Sequence, residues 1–429
     1  MSRSWPRWCA GLLAAAAGLL AAAMLAACTG KPSGDSSGIT VVLFGDAQEV
    51  AGYRTLVDAF EDANPDVRVN LSPVATQDEL MARLTTSFAG GTPPDVFLLN
   101  YRRYGQFAAH GAIEPAQRYL DASEALDESD FSQRALDAFR FTGDELTCLP
   151  QNLSSLVVYY NADLFRAAGV PLPRAGWTWD DFLAAARALT RDKTYGVGVE
   201  PSVIRLAPFV WSNRGDLVDD PDRPTTLTLT KGAATRRAVD WFLDLQLVHR
   251  VVPPDVEEQS ESSEARFLRG TRGMYLNSRV AVPTLRTIDS FEWDVAPLPV
   301  APGGVPASIL HSDAYCMSAG KPDHRKAWRF IEFAMGRSGQ EILAASGRTV
   351  PSRLDVARSD AFLAPSRPPR SSQVFLDAEP NLRATPRTAT WSRVEGEANA
   401  LLEEVFYGRV DRERGLRELE DKWRPLCAG

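Results

Sequence analysis

The alternation of strand and helix patterns near the beginning of the chain constrains its fold more than any other feature. Residues 39–44 form a β-branched and aromatic run and residues 67–71 alternate in polarity, so both segments predict strands. Helical spacing of apolar residues predicts helices over 50–64 and 78–89, and a buried strand follows at 95–99. This βαβαβ order indicates a parallel sheet covered by helices, with ligands beyond the carboxyl ends of the strands.

The length of the chain and its later patterns indicate a second α/β domain. Of the 429 residues, the 402 that follow residue 27 exceed one ordinary hydrophobic core. Further strand and helix patterns continue to the carboxyl end. Strands are predicted at 153–160 and 291–298, and helices at 179–191, 235–248, 326–335, 395–407 and 412–423.

The amino terminus has the pattern of a secretory signal. Arg3 and Arg7 precede an Ala-rich apolar run that ends in Leu-Ala-Ala directly before Cys28. This ending resembles a bacterial lipobox, which implies cleavage before Cys28 and diacylation of its sulfur. Residues 1–27 are then a signal peptide, and the Ser- and Gly-rich residues 28–38 form a flexible tether. The alternative is a transmembrane helix with a chance Cys. We expect a lipid-anchored protein on the extracytoplasmic face of the cell membrane.

Composition excludes several classes of partner. The net charge of −8 argues against a nucleic-acid partner, and no second apolar run approaches a membrane span in length. Cys148, Cys316 and Cys427 are far apart in sequence and fit no zinc pattern, and the four histidines have no metal spacing. No metal or cofactor is therefore expected. An oxidising compartment permits one disulfide among the three cysteines.

Three segments carry a resemblance to a known family. They are Phe-Glu-Asp-Ala-Asn-Pro-Asp-Val-Arg-Val at 60–69, Gly-Gly-Thr-Pro-Pro-Asp-Val at 90–96, and Leu-Pro at 149–150 followed by Leu-Val-Val-Tyr-Tyr-Asn-Ala-Asp-Leu-Phe at 156–165. Together they resemble the family 1 extracellular solute-binding proteins, the receptor subunits of ATP-driven importers, which include maltose-binding protein. Weaker matches lie at 177–182, 267–275, 327–330 and 350–353, with Gly273 where the family usually has Ala.

The resemblance implies a two-domain periplasmic-binding-protein fold, type II-like, in which hinge crossings join two α/β lobes around a ligand cleft. The crossings are expected near 150–155, near 309–313 and after Pro351. The N-terminal lobe would comprise 39–150 plus 314–352, and the C-terminal lobe 156–309 plus 353–429. The implied function is capture of a carbohydrate, a mono- or oligosaccharide, by hinge closure without catalysis. The implied partners are the permease subunits of an ABC importer, and a monomer is expected.

Candidate ligand contacts lie at strand ends, on the crossings and before the closing helix. Polar groups would bind sugar hydroxyls, and aromatic faces would stack on sugar rings. Two candidates have structural alternatives, because Asp46 could cap the following helix and Trp211 could be a core residue. The candidates are Asp46, Asn100, Tyr101, Arg102, Asn152, Ser154, Trp211, Asn277, Arg279, Asp313, Arg387 and Trp391.

A set of arginines supports an alternative ligand. Arg102, Arg103, Arg279, Arg348 and Arg387 could converge on an anion, since Arg pairs with phosphate through two hydrogen bonds. The last of these lies where the glycerol-3-phosphate receptors of the family carry an Arg. The alternative is therefore a receptor for glycerol-3-phosphate or a glycerophosphodiester.

The resemblance also implies a disulfide. The family pairs the segment leading into the first crossing with the segment leaving the second one, antiparallel. Cys148 and Cys316 would then face each other, with Cα atoms about 4.5–5.5 Å apart. Cys427 would remain as the odd thiol.

A lipid-anchored glycosidase is the alternative from a different class. Such an enzyme needs two carboxylates in the cleft, and Asp46 and Asp313 are the only candidates that the sequence places there. The Gly-x-Ser-x-Gly pattern at 34–38 lies in the tether with no strand before it, so it does not predict a hydrolase.

Overall fold

The computed structural model describes residues 38–191 and 194–427. The expected signal peptide, the lipidation site Cys28 and the tether up to residue 37 lie outside the described residues. Within the described ranges, no helix combines the length and the apolarity that crossing a membrane requires.

Twelve strands occur in the described residues. They are β1 Gly38–Phe44, β2 Arg68–Val74, β3 Val96–Asn100, β4 Ile113–Glu114, β5 Leu149–Pro150, β6 Val157–Asn161, β7 Tyr195–Gly198, β8 Arg272–Asn277, β9 Trp293–Ala296, β10 Ser308–Ile309, β11 Asp313–Ser318 and β12 Leu382–Arg383.

Helices separate most of these strands. They are α1 Ala47–Ala63, α2 Gln77–Ala89, α3 Tyr101–Ala109, α4 Gln117–Asp121, α5 Gln133–Asp137, α6 Ala162–Ala167, α7 Trp179–Leu189, α8 Val203–Ser212, α9 Ala233–Leu247, α10 Asp255–Ser260, α11 Ser263–Leu268, α12 Val282–Leu285, α13 Arg325–Met335, α14 Arg337–Ala345, α15 Leu354–Ala357, α16 Asp360–Leu363, α17 Gln373–Asp377, α18 Trp391–Phe406 and α19 Arg412–Cys427. Short 3-10 turns occur at Glu128–Asp130, Arg279–Ala281 and Glu379–Asn381.

The first sheet has the strand order β2-β1-β3-β11-β4, with β5 paired to β11. Strand β1 runs parallel to both β2 and β3, which confirms the predicted βαβαβ arrangement. Strand β11 returns antiparallel to β3, so the sheet is mixed and not purely parallel. Helices α1, α2 and α13 contribute apolar side chains to the same core, as do Ile342 and Leu343 of α14. We call this unit the N-terminal lobe.

The second sheet has the order β7-β8-β6-β9 and forms the C-terminal lobe. Strand β8 is antiparallel to β6 and parallel to β7. Helices α7, α8 and α9 pack on the core of this lobe, together with α18 and α19 from the carboxyl end of the chain. Segment 354–375 joins a smaller cluster on the other face, where Phe362 and Phe375 pack with Val157 of β6.

Three stretches of chain pass side by side between the lobes. Ser154 forms an antiparallel bridge with His311, and Asn152 forms one with Pro351. The Leu153 amide donates to the Val350 carbonyl at 2.9 Å. These bridges explain why β6 begins at Val157 and not at 153, since the residues before it pair with the neighbouring crossings. The crossings therefore bring backbone from distant parts of the sequence to one place.

A disulfide joins two strands of the N-terminal lobe beside the crossings. Cys148 precedes β5, Cys316 lies within β11, and their Cα atoms are 4.6 Å apart. The strands pair antiparallel with Tyr315 opposite Leu149, so the next pair along the ladder brings the two cysteines together. The predicted pairing is confirmed.

Candidate functional site

A cavity of about 190 Å³ lies where the carboxyl ends of β1 and β3 meet the crossings and the end of β8. Its position agrees with the rule that ligands bind outside the carboxyl ends of strands in open α/β sheets. Both lobes and all three crossings contribute to it. The lining residues are Phe44, Glu49, Gln77, Asn100, Arg102, Asn152, Ser154, Ser278, Val280, His311, Asp313, Arg348, Thr349 and Val350.

Asp313 lies at the centre of a hydrogen-bond network that joins three elements. Its Oδ1 accepts from Asn100 Nδ2 at 3.0 Å, and its Oδ2 accepts from Asn152 Nδ2 at 3.1 Å. Its own amide donates to Asn152 Oδ1 at 3.0 Å. The network fixes the carboxylate by amide donors alone, and Asp313 forms no salt bridge within the described residues.

A second cluster holds one arginine between two acids from the start of α1. Arg348 Nε lies 2.6 Å from Glu49 Oε2, and Arg348 Nη1 lies 2.6 Å from Asp46 Oδ2. Burial raises the pKa of Glu49 to about 8, although the Arg348 guanidinium opposes that rise. A Cβ atom at Gly45 would lie 2.4 Å from Glu49 Oε2, so glycine is what lets the carboxylate fold back over the strand end.

The other arginine of the cavity is also paired. Arg102 Nη1 forms an ion pair with Glu395, and Arg102 Nε donates to Asn100 Oδ1 at 3.2 Å. Only 10% of the Arg102 side chain and 4% of the Glu395 side chain are exposed. Both guanidiniums that line the cavity are thus already matched by carboxylates.

His311 supplies a neutral imidazole. Burial, with Arg102 and Arg205 nearby, lowers the pKa of His311 well below its usual range. Its Nε2 is buried and has no hydrogen-bond partner in the part of the chain that the structure describes. No group of His, Cys, Asp and Glu in the described ranges could hold a metal ion. The site therefore offers hydrogen-bond donors and acceptors for a polar ligand.

Residues 45–341 match the family model of the bacterial extracellular solute-binding proteins. The chain belongs to this family. A binding protein of Brucella abortus is 21% identical over 422 residues, which cover 95% of this chain and 97% of the relative.

Two solved structures show the same fold as this solute-binding protein. The ABC substrate-binding protein Lmo0181 of Listeria monocytogenes, in complex with cycloalternan, is 23% identical with a TM-score of 0.84, over 92% of this chain and 100% of that one. UgpB of Mycobacterium tuberculosis, in complex with glycerophosphocholine, is 21% identical with a TM-score of 0.77, over 90% and 98%. The two-domain α/β fold expected from the sequence is confirmed.

The structure of this solute-binding protein brings five of the predicted contact residues to the cavity: Asn100, Arg102, Asn152, Ser154 and Asp313. These residues lie at the end of β3, on the first crossing and at the start of β11. The strand-end rule indicated Asn100, and the family resemblance indicated the other four. Their contact with ligand stays a prediction.

Two further predicted residues lie next to the cavity. Asp46 accepts from the Gln48 and Glu49 amides and so caps α1, while its other oxygen meets Arg348. Asn277 is buried behind the lining residue Ser278, and its Oδ1 accepts from Arg205 Nη2 at 2.9 Å.

Two predicted arginines point elsewhere. Arg279 is fully buried in the C-terminal lobe, where its guanidinium donates to the Gly347 carbonyl at 2.8 Å and to Ser372 Oγ at 3.0 Å. Arg387 lines a different cavity of about 190 Å³ and donates to the backbone carbonyls of Asp137 and Arg140. Neither guanidinium lies in the lining of the cleft.

The predicted aromatic residues are also absent from the lining. Trp211 is 4% exposed in the C-terminal core, with the Arg383 guanidinium 5.0 Å from its ring. The Tyr101 hydroxyl lies 3.2 Å from Thr385 Oγ1. Trp391 packs edge-on against a second tryptophan, and its indole donates to Glu395 at 3.0 Å. Each ring fills an interior position, which explains why it does not line the cleft.

The sequence reasoning missed Glu49. Its position three residues after Asp46 is the spacing of a helix capping box, so the pattern predicts a helix start and hides the cavity side chain. Other lining residues that it missed are Phe44, Gln77, Val280, Thr349 and Val350. Of these residues, Phe44 could have been predicted from the sequence, because it is the last residue of the first predicted strand and ligands bind near strand ends.

Proposed function

We propose that this chain is the receptor of an ABC importer and that the cleft binds a neutral carbohydrate. The observation that carries the proposal is the charge state of the cavity. Arg102 and Arg348 are paired with carboxylates, while Asp313 is held only by amides. Neutral hydroxyl groups suit such a site, because they can donate to Asp313 and can pair with the imidazole of His311.

The same charge state disfavours the phosphate alternative. A phosphate needs unpaired guanidiniums, and in this cavity it would approach the carboxyl group of Asp313. Arg279 and Arg387, which the phosphate reading requires, are absent from the lining. The relatives include both kinds of receptor, one in complex with cycloalternan and one with glycerophosphocholine. We therefore place this receptor with the carbohydrate binders.

The volume of the cavity limits the part of the ligand that it encloses. At about 190 Å³ it is smaller than the roughly 300–1,000 Å³ of sites for drug-sized ligands. A cavity of this size encloses about one sugar ring, so a longer oligosaccharide would extend out of the cleft.

The glycosidase alternative requires Asp46 and Asp313 to act as its two catalytic acids, and the contacts of these residues favour binding without catalysis. Asp46 caps α1 and pairs with Arg348, and Asp313 accepts hydrogen bonds from two amides. Both carboxyl groups are thus engaged by structural partners, whereas glycoside hydrolysis needs two carboxyl groups that face the scissile bond. A lipid at Cys28 would tether the receptor to the membrane, where permease subunits take up the ligand.

The test is a ligand panel measured by thermal shift and then by calorimetry. The neutral sugars are glucose, maltose, maltotriose and trehalose. The phosphate esters are sn-glycerol 3-phosphate, which is an anion, and glycerophosphocholine, which is a zwitterion. We expect a neutral sugar to stabilise the protein, by about 2.7 kcal/mol at a hundredfold excess over Kd. Its affinity should change little with salt, since no charged ligand is screened. Binding of the phosphate esters alone, weakened by salt, would overturn the proposal.

A further inference from the structure

We infer that Glu395 is a positioning residue of the ligand site: it holds the Arg102 side chain in the cleft. The position of Arg102 then depends on contact between the two lobes. The inference rests on the proposed binding function and extends it to a residue outside the cavity lining. Arg102 lies on α3 and Glu395 on α18.

The two side chains belong to different lobes. Helix α3 contributes Tyr101 and Tyr104 to the core of the N-terminal lobe, whereas α18 contributes Val394 and Ala398 to the core of the C-terminal lobe. The ion pair therefore crosses the boundary between the lobes. Separation of the lobes at this point would leave both charges without their partner.

Glu395 is itself held in place. Its Oε2 accepts from Trp391 Nε1 at 3.0 Å, while Oε1 faces Arg102. Glu395 is 3% exposed, so water replaces neither contact. A carboxylate buried this far needs its partner, because a buried charge without one is strongly unfavourable.

The pair continues into the cavity through a line of hydrogen bonds. Arg102 Nε donates to Asn100 Oδ1 at 3.2 Å, and Asn100 Nδ2 donates to Asp313 Oδ1 at 3.0 Å. Each of these three residues lines the cavity, and Glu395 does not. Loss of the Glu395 charge should therefore release Arg102 and loosen the residues that it orders.

The chain that leads into α18 approaches α3 at backbone distance beside this pair. A Cβ atom at Gly105 of α3 would lie 2.4 Å from the Arg387 carbonyl oxygen and 2.7 Å from that of Thr388. Arg103 Nη1 also donates to Ser392 Oγ at 2.6 Å. The contact between α3 and the start of α18 is thus close enough to fix the geometry of the ion pair.

The experiment compares Glu395→Gln with the matched control Ser392→Ala. Gln keeps the shape of Glu395 and an oxygen for Trp391 but removes the charge that faces Arg102. Ser392→Ala removes a neighbouring contact between the lobes that does not lead to the cavity. Calorimetry and stopped-flow binding use the panel compound that stabilises the wild type most, whether neutral sugar or phosphate ester.

We expect Glu395→Gln to weaken binding on the order of tenfold to a hundredfold, mainly through faster dissociation. Ser392→Ala should stay within about twofold, and Glu395→Asp should restore part of the loss. In an Arg102→Gln background, Glu395→Gln should have no further effect, because the residue acts through Arg102. Unchanged affinity, or an equal loss in both backgrounds, would overturn the inference.

A ligand-free measurement separates this inference from the proposed function. Hydrogen exchange reports local opening, and Glu395→Gln should raise exchange over residues 101–104 of the opposite lobe. Exchange in β1 should stay unchanged. If α3 is as protected in the variant as in the wild type, the inference fails whichever compound the cleft binds. If only phosphate esters bind, the proposed function fails and the Glu395 test still gives an answer.

Discussion

Glu49→Gln should change how the stability of this receptor depends on pH. In the folded protein, burial raises the pKa of Glu49 from 4.5 to about 8. Between these two pH values the folded state holds a proton that the unfolded state has released. The free energy of unfolding should therefore fall as pH rises through this window, because stability rises with pH only where the unfolded state binds more protons.

The size of the effect follows from the distance between the two pKa values. Each pH unit is worth about 1.4 kcal/mol, so the Glu49 contribution lost between pH 4.5 and pH 8 is on the order of 4 kcal/mol. The Arg348 guanidinium, 2.6 Å away, works against this loss because it stabilises the ionised form. Gln cannot ionise, so the variant should lack this part of the pH dependence.

The assay is urea unfolding at pH 5, 6, 7 and 8, with the unfolded fraction monitored by far-UV circular dichroism. All other titrating groups are common to both proteins, so the difference in free energy isolates Glu49. The variant should gain stability relative to the wild type as pH rises. Glu79→Gln is the matched control, since Glu79 lies in the first turn of α2 but is exposed. A difference between wild type and Glu49→Gln that does not change with pH would refute the reasoning.

Four further predictions concern other parts of the chain. Replacing Cys148 and Cys316 with Ala should cost up to about 5 kcal/mol in urea unfolding, since the bond spans 168 residues; equal stability of the variant and the wild type under non-reducing conditions would contradict this. Asp313→Asn should weaken sugar binding about tenfold or more in calorimetry, because its side-chain NH₂ would replace one of the two oxygens that accept from the Asn100 and Asn152 amides; wild-type affinity would show that Asp313 does not contribute to binding. Trp211→Ala should cost about 3–5 kcal/mol of stability and leave affinity unchanged; a folded variant with weak binding would restore its role as a platform. Cys28→Ser should release the protein from membranes, and retention of a chain cut after residue 28 would contradict the lipid anchor.

The backbone of the site could be predicted from the sequence because it depends on short-range patterns. Runs of β-branched residues and helical spacing located β1, α1 and β3, and the strand-end rule then placed Asn100 at the cleft. The crossings needed the family resemblance as well, since the bridge between Ser154 and His311 joins positions that no local pattern connects.

The direction of long side chains could not be predicted in this way. Arg279 follows β8 directly, yet its guanidinium turns into the C-terminal lobe and packs over the rings of Phe362 and Phe375. Whether an arginine meets a ligand or a carbonyl depends on tertiary packing, which strand and helix periods do not encode. The same holds for Glu49, whose carboxylate folds back over Gly45 into the cavity.

Trp391 shows how a position can matter for the site without lining it. Its indole donates to Glu395, Glu395 pairs with Arg102, and Arg102 lines the cavity together with Asn100 and Asp313. The acid also cancels the charge of the arginine, so the cavity keeps a guanidinium donor without becoming an anion site. A cleft that held Arg102 without Glu395 would attract phosphate. Under the proposed function, discrimination between a neutral sugar and a phosphate ester would depend on a carboxylate of the opposite lobe that we expect the ligand never to touch.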